Sequence, residues 1–158
     1  MIAIRIYKAY WESIATRILA ALNYTITPLF VRTELELTKK IKEIADQDHI
    51  MVVVIPSSDT TSVNYDNIKE KETGIVYALK KTHRGNENDE DALTTMDETQ
   101  QIITKIKELM LDDAQDCDAE YHQLMKDLDF NRMHTDPEYE FLGCDGYSVS
   151  FIIQTNGF

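Results

Sequence analysis

The run Ile50-Met51-Val52-Val53-Val54-Ile55, ended by Pro56, constrains the fold of this chain more than any other segment. Six apolar residues are too few to cross a membrane, and their Val and Ile content disfavours a helix. Such a run is typical of a strand buried on both faces, or on one face with a subunit contact on the other. Pro56 has no N–H for a strand ladder, so we expect the strand to end there.

Helical periodicity accounts for much of the remaining chain. The first amphipathic helix runs from about Tyr7 to Leu22, and Asn23 can end it in a left-handed conformation. A second helix over Thr33–Ala45 begins with a capping box. The third and longest covers about Ala92–Leu111, and a short helix follows within residues 119–128.

Further strands are predicted at residues 74–79, 139–142 and 147–154, with residues 57–64 as a loop and residues 82–91 as the most disorder-prone stretch. We therefore predict an α+β fold: a small antiparallel sheet of about four strands, packed with an N-terminal amphipathic helix and a long central helix, in a single domain over residues 1–158. The predicted core comprises Trp11, Ile14, Ile18, Val52, Val54, Val76, Ile103, Ile106, Val149 and Phe151.

The formal charge of −12 is concentrated in one segment. Residues 87–120 hold twelve Asp and Glu against two Lys, so this segment alone carries most of the excess. A chain of this kind lacks the broad basic surface that nucleic-acid phosphates require, and we expect no sequence-specific nucleic-acid binding. Solubility explains such an excess, and the sharper alternative is a surface that repels phosphate or meets a basic partner. No apolar run is long enough for a membrane helix, so we expect no membrane association and no secretion.

Residues that could support catalysis or metal binding lack the spacing those chemistries require. Cys117 and Cys144 form no CxxC pair, and the four histidines are scattered. The carboxylates of residues 112–120 lack the Gly and the Asx spacing of a calcium loop. We therefore expect no metal, no cofactor and no catalytic thiol.

Four features of the sequence indicate a resemblance to a known family: the element order, the segment YKAYWESIA, the hairpin IMVVVIP…TGIVYALKK and the final strand GYSVSFII. In these features the chain resembles small α+β ring subunits of tailed bacteriophages. The nearest type is the tail-terminator or tail-completion protein of the neck. The resemblance implies a non-catalytic structural role in the virion, where a homo-oligomeric ring joins the tail tube to the head and contacts other neck and tail-tube proteins. Such rings commonly have an electronegative lumen, which agrees with the acidic excess. If the chain is not viral, we expect it in the cytoplasm.

We expect ring assembly through sheet edges, because an edge with little charge must be paired or covered. The candidates for subunit contacts are Met51, Val53, Ile55, Ser148, Ser150 and Ile152. The candidates for an acidic surface on one side, facing a channel or a basic partner, are Asp89, Glu90, Asp91, Asp112, Asp113, Asp116 and Asp118. Two alternatives stay open: a small adaptor domain that binds a basic protein, and a small cysteine- or carboxylate-dependent enzyme.

Overall fold

A computed structural model describes residues 2–62, 68–83 and 88–156 of the chain. Its elements in chain order are α1 (Ile4–Leu22), β1 (Ile26–Val31), α2 (Glu34–Glu43), β2 (His49–Val54), β3 (Ser57–Ser62), β4 (Ile68–Lys81), α3 (Asp89–Gln115), α4 (His122–Met125), β5 (His134–Phe141) and β6 (Cys144–Asn156). The predicted α+β class is confirmed, with the N-terminal helix and the long central helix in place. Residues 84–87, within the stretch predicted to be disorder-prone, lie outside the described residues, as do residues 63 and 64 of the predicted loop.

The sheet is larger than predicted and is mixed rather than antiparallel. Its strands lie in the order β1-β2-β4-β6-β5, and β3 pairs with the first half of β4. Only β1 and β2 are parallel, because α2 supplies the long crossover that a parallel pair needs. The expectation of about four antiparallel strands is therefore wrong in number and in direction.

The longest strand, β4, organises the sheet. It pairs with β6 from Lys69 opposite Asn156 to Lys81 opposite Cys144. On the other side of β4, the carboxyl-terminal part of β4 pairs with β2 and its amino-terminal part pairs with β3. Both β2 and β6 are therefore interior strands, and the outer strands of the sheet are β1, β5 and the short β3, which pairs only with β4.

The two faces of the sheet carry separate hydrophobic clusters. The larger cluster packs α1 and α3 against one face and contains Trp11, Ile106 and Phe151. The smaller cluster packs α2 against the other face, around Leu37 and Val52. Nine of the ten predicted core residues are buried, and Val54 is the exception because it lies at the open end of β2 beside α2.

Local signals in the sequence place several element boundaries. Asn23 ends α1 with a φ of 58°, as predicted, and the Thr33 hydroxyl caps α2 by accepting from the Glu36 N–H at 3.3 Å. The hairpin between β5 and β6 turns at Leu142 and Gly143, both with positive φ, which suits a type I′ turn. None of the helices in the described part of the chain is long and apolar enough to span a membrane.

Candidate functional site

The two thiols differ in their surroundings. Cys144 is buried in the smaller cluster, and this burial raises the pKa of its thiol to about 11. A thiol with such a pKa stays protonated near neutral pH and is a poor nucleophile. Cys117 is exposed beyond the end of α3. The enzyme alternative, which required a thiol in a cleft beside a histidine, gains no support from Cys144.

A charged cluster that the sequence did not reveal joins β2, β4 and α3. The Glu98 Oε2 atom lies 2.9 Å from His49 Nε2 and accepts a hydrogen bond from Lys80 Nζ at 2.7 Å. Burial lowers the pKa of His49, although Glu98 opposes this shift. Hydrogen bonds from Lys80 and His49 lower the pKa of Glu98 despite its partial burial. Only contact between distant segments creates this cluster, so no local motif could have identified it.

The chemistry available around this cluster is limited. A cleft of about 550 Å³ opens beside it, and its lining mixes basic and acidic side chains, including Lys81, His83, Asp46 and Asp91. Within residues 2–62, 68–83 and 88–156, no three His, Cys, Asp or Glu side chains converge as a metal site would require. Because its charges are paired across three elements, we interpret the cluster as an ion-pair network that fixes α3 on the sheet.

The predicted acidic surface is divided into two groups. Asp89, Glu90 and Asp91 lie in the first turn of α3, where a carboxylate is favoured by the helix dipole. The other group lies at the far end of this 27-residue helix, about 40 Å away. There Asp112, Asp116 and Asp118 are exposed. The predicted acidic residues therefore form two groups at the two ends of α3 and not one compact cluster, because the segment is one extended helix.

Asp113 does not belong to the acidic surface. Its side chain is only 7% exposed, and its Oδ2 atom accepts a hydrogen bond from Arg17 Nη1 at 2.7 Å. Asp113 was included for its place in a run of aspartates, but the helical rotation turns it towards α1. It therefore serves as a buried partner of Arg17 and is a correction to the predicted set.

The predicted subunit contacts do not lie on a sheet edge. Met51 and Val53 are fully buried in the larger cluster and pack beneath α1 and α3. Ser148 is also buried, and its hydroxyl donates to Glu138 Oε1 at 2.6 Å. Ser150 and Ile152 are half-buried on β6, and Ile55 is 36% exposed just beyond β2. The edge assignment was wrong because β1, β3 and β5 add further strands outside β2, β4 and β6.

Two of the three outer strands, β1 and β5, disfavour assembly by strand pairing. Pro28 lies within β1 and Pro137 within β5, and neither can donate a backbone hydrogen bond. The pairing of β5 with β6 is also interrupted between Glu138 and Phe141. Proline and irregular pairing are the devices by which proteins protect their sheet edges. Strand pairing between copies is therefore disfavoured at β1 and β5, and the remaining outer strand, β3, is polar.

One end of the molecule exposes large apolar side chains from three elements. This apolar end is where β1 and β2 finish and α1 begins, because the Tyr7 hydroxyl lies 3.4 Å from the Val54 carbonyl oxygen. The exposed residues are Ile4 (59%), Ile6 (53%), Leu35 (68%) and Ile55 (36%). Exposed apolar groups gathered at one end of a protein are typical of an interaction surface.

A groove opens near the same end on the face that α2 covers. This α2 groove has a volume of about 270 Å³ and is lined by Val31, Leu37, Val52, Val54, Tyr77 and Phe141, with Arg32, Thr33 and Glu34 completing it. The rings of Tyr77 and Phe141 stack with centroids 4.9 Å apart and planes 8° from parallel. These stacked rings form one wall of the groove, and α2 forms the other.

Of the exposed residues at the apolar end, Ile55 was predicted as a subunit contact, and the others were not. Ile6 fits the apolar spacing of the first helix, yet it is more than half exposed. The helix begins three residues earlier than predicted, so Ile6 lies in its first turn, beyond the end of the sheet.

Comparisons of the chain with protein-family models, with curated proteins and with solved structures found no match.

Proposed function

We propose that this chain is a non-catalytic structural subunit of a homo-oligomeric ring at the neck or tail end of a tailed bacteriophage, where the ring joins the tail tube to the head. The observation that carries the proposal is the apolar end, where Ile4, Ile6, Leu35 and Ile55 are exposed beside the α2 groove. Burial of these side chains in a contact would supply the main favourable free energy of association. The proposal places the chain in the virion, with other neck and tail-tube proteins as its partners.

The distribution of charge favours a head-to-tail contact over a two-fold one. Residues 88–145, which include α3, α4 and β5, hold seventeen Asp and Glu against four Lys and Arg. Residues 2–48, which include α1, β1 and α2, hold six acidic and seven basic side chains. A contact between two acidic sides would be repulsive, whereas unlike surfaces can meet without this cost. Head-to-tail contacts close into rings when the rotation between copies permits it.

The β3–β4 hairpin supports the same role. β2 ends at Val54, whereas β3 continues beside the first half of β4, so the hairpin extends past the apolar end. The strand β3 has the sequence SSDTTS, and its residues from Ser57 to Thr61 are exposed. A polar arm of this kind can reach a neighbouring subunit without exposing apolar surface in the free chain.

The test is to find the chain in its native particle. Virions produced from the genome that encodes the chain should contain several copies by mass spectrometry, and cryo-electron microscopy should place them in a ring at the head–tail junction. Deletion of the gene should leave heads and tails unjoined, and a plasmid-borne copy should restore joining. Absence of the chain from virions, or its presence there as an isolated monomer, would overturn the proposal.

A second candidate function is an adaptor that binds a basic protein partner. Asp112, Asp116 and Glu120 surround a cavity of about 300 Å³ at the far end of α3. The Arg17 side chain also lines this cavity, but its short contact is with Asp113. The adaptor alternative predicts that reversing the charges of Asp112 and Asp116 abolishes partner binding while leaving self-association unchanged. The ring proposal predicts that changes at the apolar end abolish self-association.

A further inference from the structure

The first turn of α1 departs from the usual pattern of a helix start. It contains no acidic residue, although the helix dipole favours carboxylates there, and it places the cation Arg5 at the positive end. Arg5 makes no ion pair with any residue that the structure describes. Sequences break a local rule of this kind most often where function requires it.

This turn is held on one side by the Ile2 N–H, which donates to Glu72 Oε1 at 3.1 Å, and is open on the other. Ile4, Arg5 and Ile6 are consecutive residues, so their side chains point about 100° apart around the helix axis. All three are exposed, two of them by more than half. Tyr7 completes the turn and is buried in the larger cluster, so the turn is exposed on the side that Ile4, Arg5 and Ile6 cover, and that side can enter a groove.

The α2 groove has the complementary properties. Its six apolar lining side chains enclose about 270 Å³, which exceeds the cavity of about 150 Å³ that holds a benzene molecule. Glu34 adds a carboxylate to the lining, and it makes no ion pair with any described residue. The groove therefore offers an apolar surface with two charged groups in its lining: the carboxylate of Glu34, and the guanidinium of Arg32, whose Nε atom lies 3.5 Å from Glu36 Oε2.

The turn and the groove cannot meet within one molecule. α1 packs on one face of the sheet and α2 on the other, so the sheet separates them. We infer that the first turn of α1 docks into the α2 groove of the next copy of this chain, with Arg5 beside that copy's Glu34. This inference deepens the proposed function and rests on it, because each copy offers one turn and one groove, as a head-to-tail ring requires.

The inference makes a specific prediction for charge reversal. Arg5→Glu alone, or Glu34→Arg alone, places like charges at every contact and should weaken self-association by about tenfold to a hundredfold. An equimolar mixture of the two variants can alternate so that every contact again joins opposite charges. The mixture and the double variant should both recover wild-type association. Sedimentation velocity and native mass spectrometry at increasing protein concentration provide the measurement.

Matched controls separate the contact from general effects. Lys39→Glu makes the same change in net charge as Arg5→Glu at an exposed site in α2 outside the groove. Ile6→Ser should weaken association, whereas Leu93→Ser, which changes an equally apolar and exposed residue on α3, should not. Circular dichroism should show that all variants remain folded.

The outcomes distinguish this inference from the function on which it rests. Recovery in the mixture, with both controls unaffected, supports the docking of the turn. Self-association that is insensitive to Arg5→Glu and Glu34→Arg, or a wild-type chain that stays monomeric at millimolar concentration, overturns the inference. In either case the ring proposal still stands if virions contain the chain in a ring, and it falls if they do not.

Discussion

Replacing Arg17 by Met should destabilise the protein more than replacing Asp113 by Asn, although each change removes one member of the same ion pair. The Arg17 side chain is 33% exposed, whereas that of Asp113 is 7% exposed. Loss of Arg17 leaves a buried carboxylate without its cationic partner, and breaking a buried pair lowers the free energy of unfolding by about 3–5 kcal/mol. Since part of the pair reaches water, we expect about 3 kcal/mol. Asp113→Asn leaves a guanidinium that can turn to solvent, so we expect about 1–2 kcal/mol.

Urea unfolding followed by fluorescence measures both values, because the chain has one tryptophan and Trp11 is fully buried. The double variant Arg17→Met with Asp113→Leu supplies the control. An apolar pair removes the stranded charge, so the double variant should be more stable than Arg17→Met alone. A loss for Asp113→Asn that equals or exceeds the loss for Arg17→Met would refute the assignment of unequal burial. So would a double variant that is no more stable than Arg17→Met alone.

Three further outcomes test the core, the thiols and the charged cluster. Because Ile106 is fully buried, Ile106→Ala should lower the free energy of unfolding in urea by about 2–5 kcal/mol. The exposed control Leu93→Ala should lower it by less than about 0.5 kcal/mol. Similar losses for the two variants would contradict the orientation of α3. A thiol reagent at pH 8 should modify Cys117 alone in the folded protein and Cys144 only in urea, and rapid native labelling of both would refute the burial of Cys144. Because burial lowers the pKa of His49, the unfolded chain binds more protons, so stability should fall as the pH drops from about 7 to 5. His49→Gln should flatten this slope, and an unchanged slope would contradict the shift.

Periodicity predicted the elements that bury one face. The stripe of α1 and the alternation of β6 gave the helix and the strand in nearly their observed positions, because burial of one side imposes a period on the sequence. The capping residues of α2 fixed its start for the same local reason. These signals depend on neighbouring residues, so a single sequence contains them.

The elements that were missed are held by partners distant in the sequence. The residues of β3 are polar, so no alternation marks it, and it is a strand through its ladder with β4. Residues 24–27 predicted a short strand or an extended link, but Pro28 obscured the rest of β1, which tolerates proline because its outer side is unpaired. The cluster of His49, Lys80 and Glu98 likewise required the folded arrangement of three elements. In each case the interaction that determines the structure joins residues far apart in the sequence, so a local sequence pattern does not contain it.

The pairing of β4 with β6 has a consequence for synthesis. Partner residues are separated by 63 positions at Lys81 and Cys144 and by 87 positions at Lys69 and Asn156. At a translation rate of about 5–20 residues per second, each residue of β4 is made about 3–17 seconds before its partner in β6. During that interval the stretch from Ile75 to Leu79 has an unprotected edge with no charged residue. The nascent chain therefore exposes this edge while α3 is being made, and charged residues flank it on both sides: Glu70, Lys71 and Glu72 before it, and Lys80 and Lys81 after it. Flanking charges of this kind limit aggregation through an exposed strand.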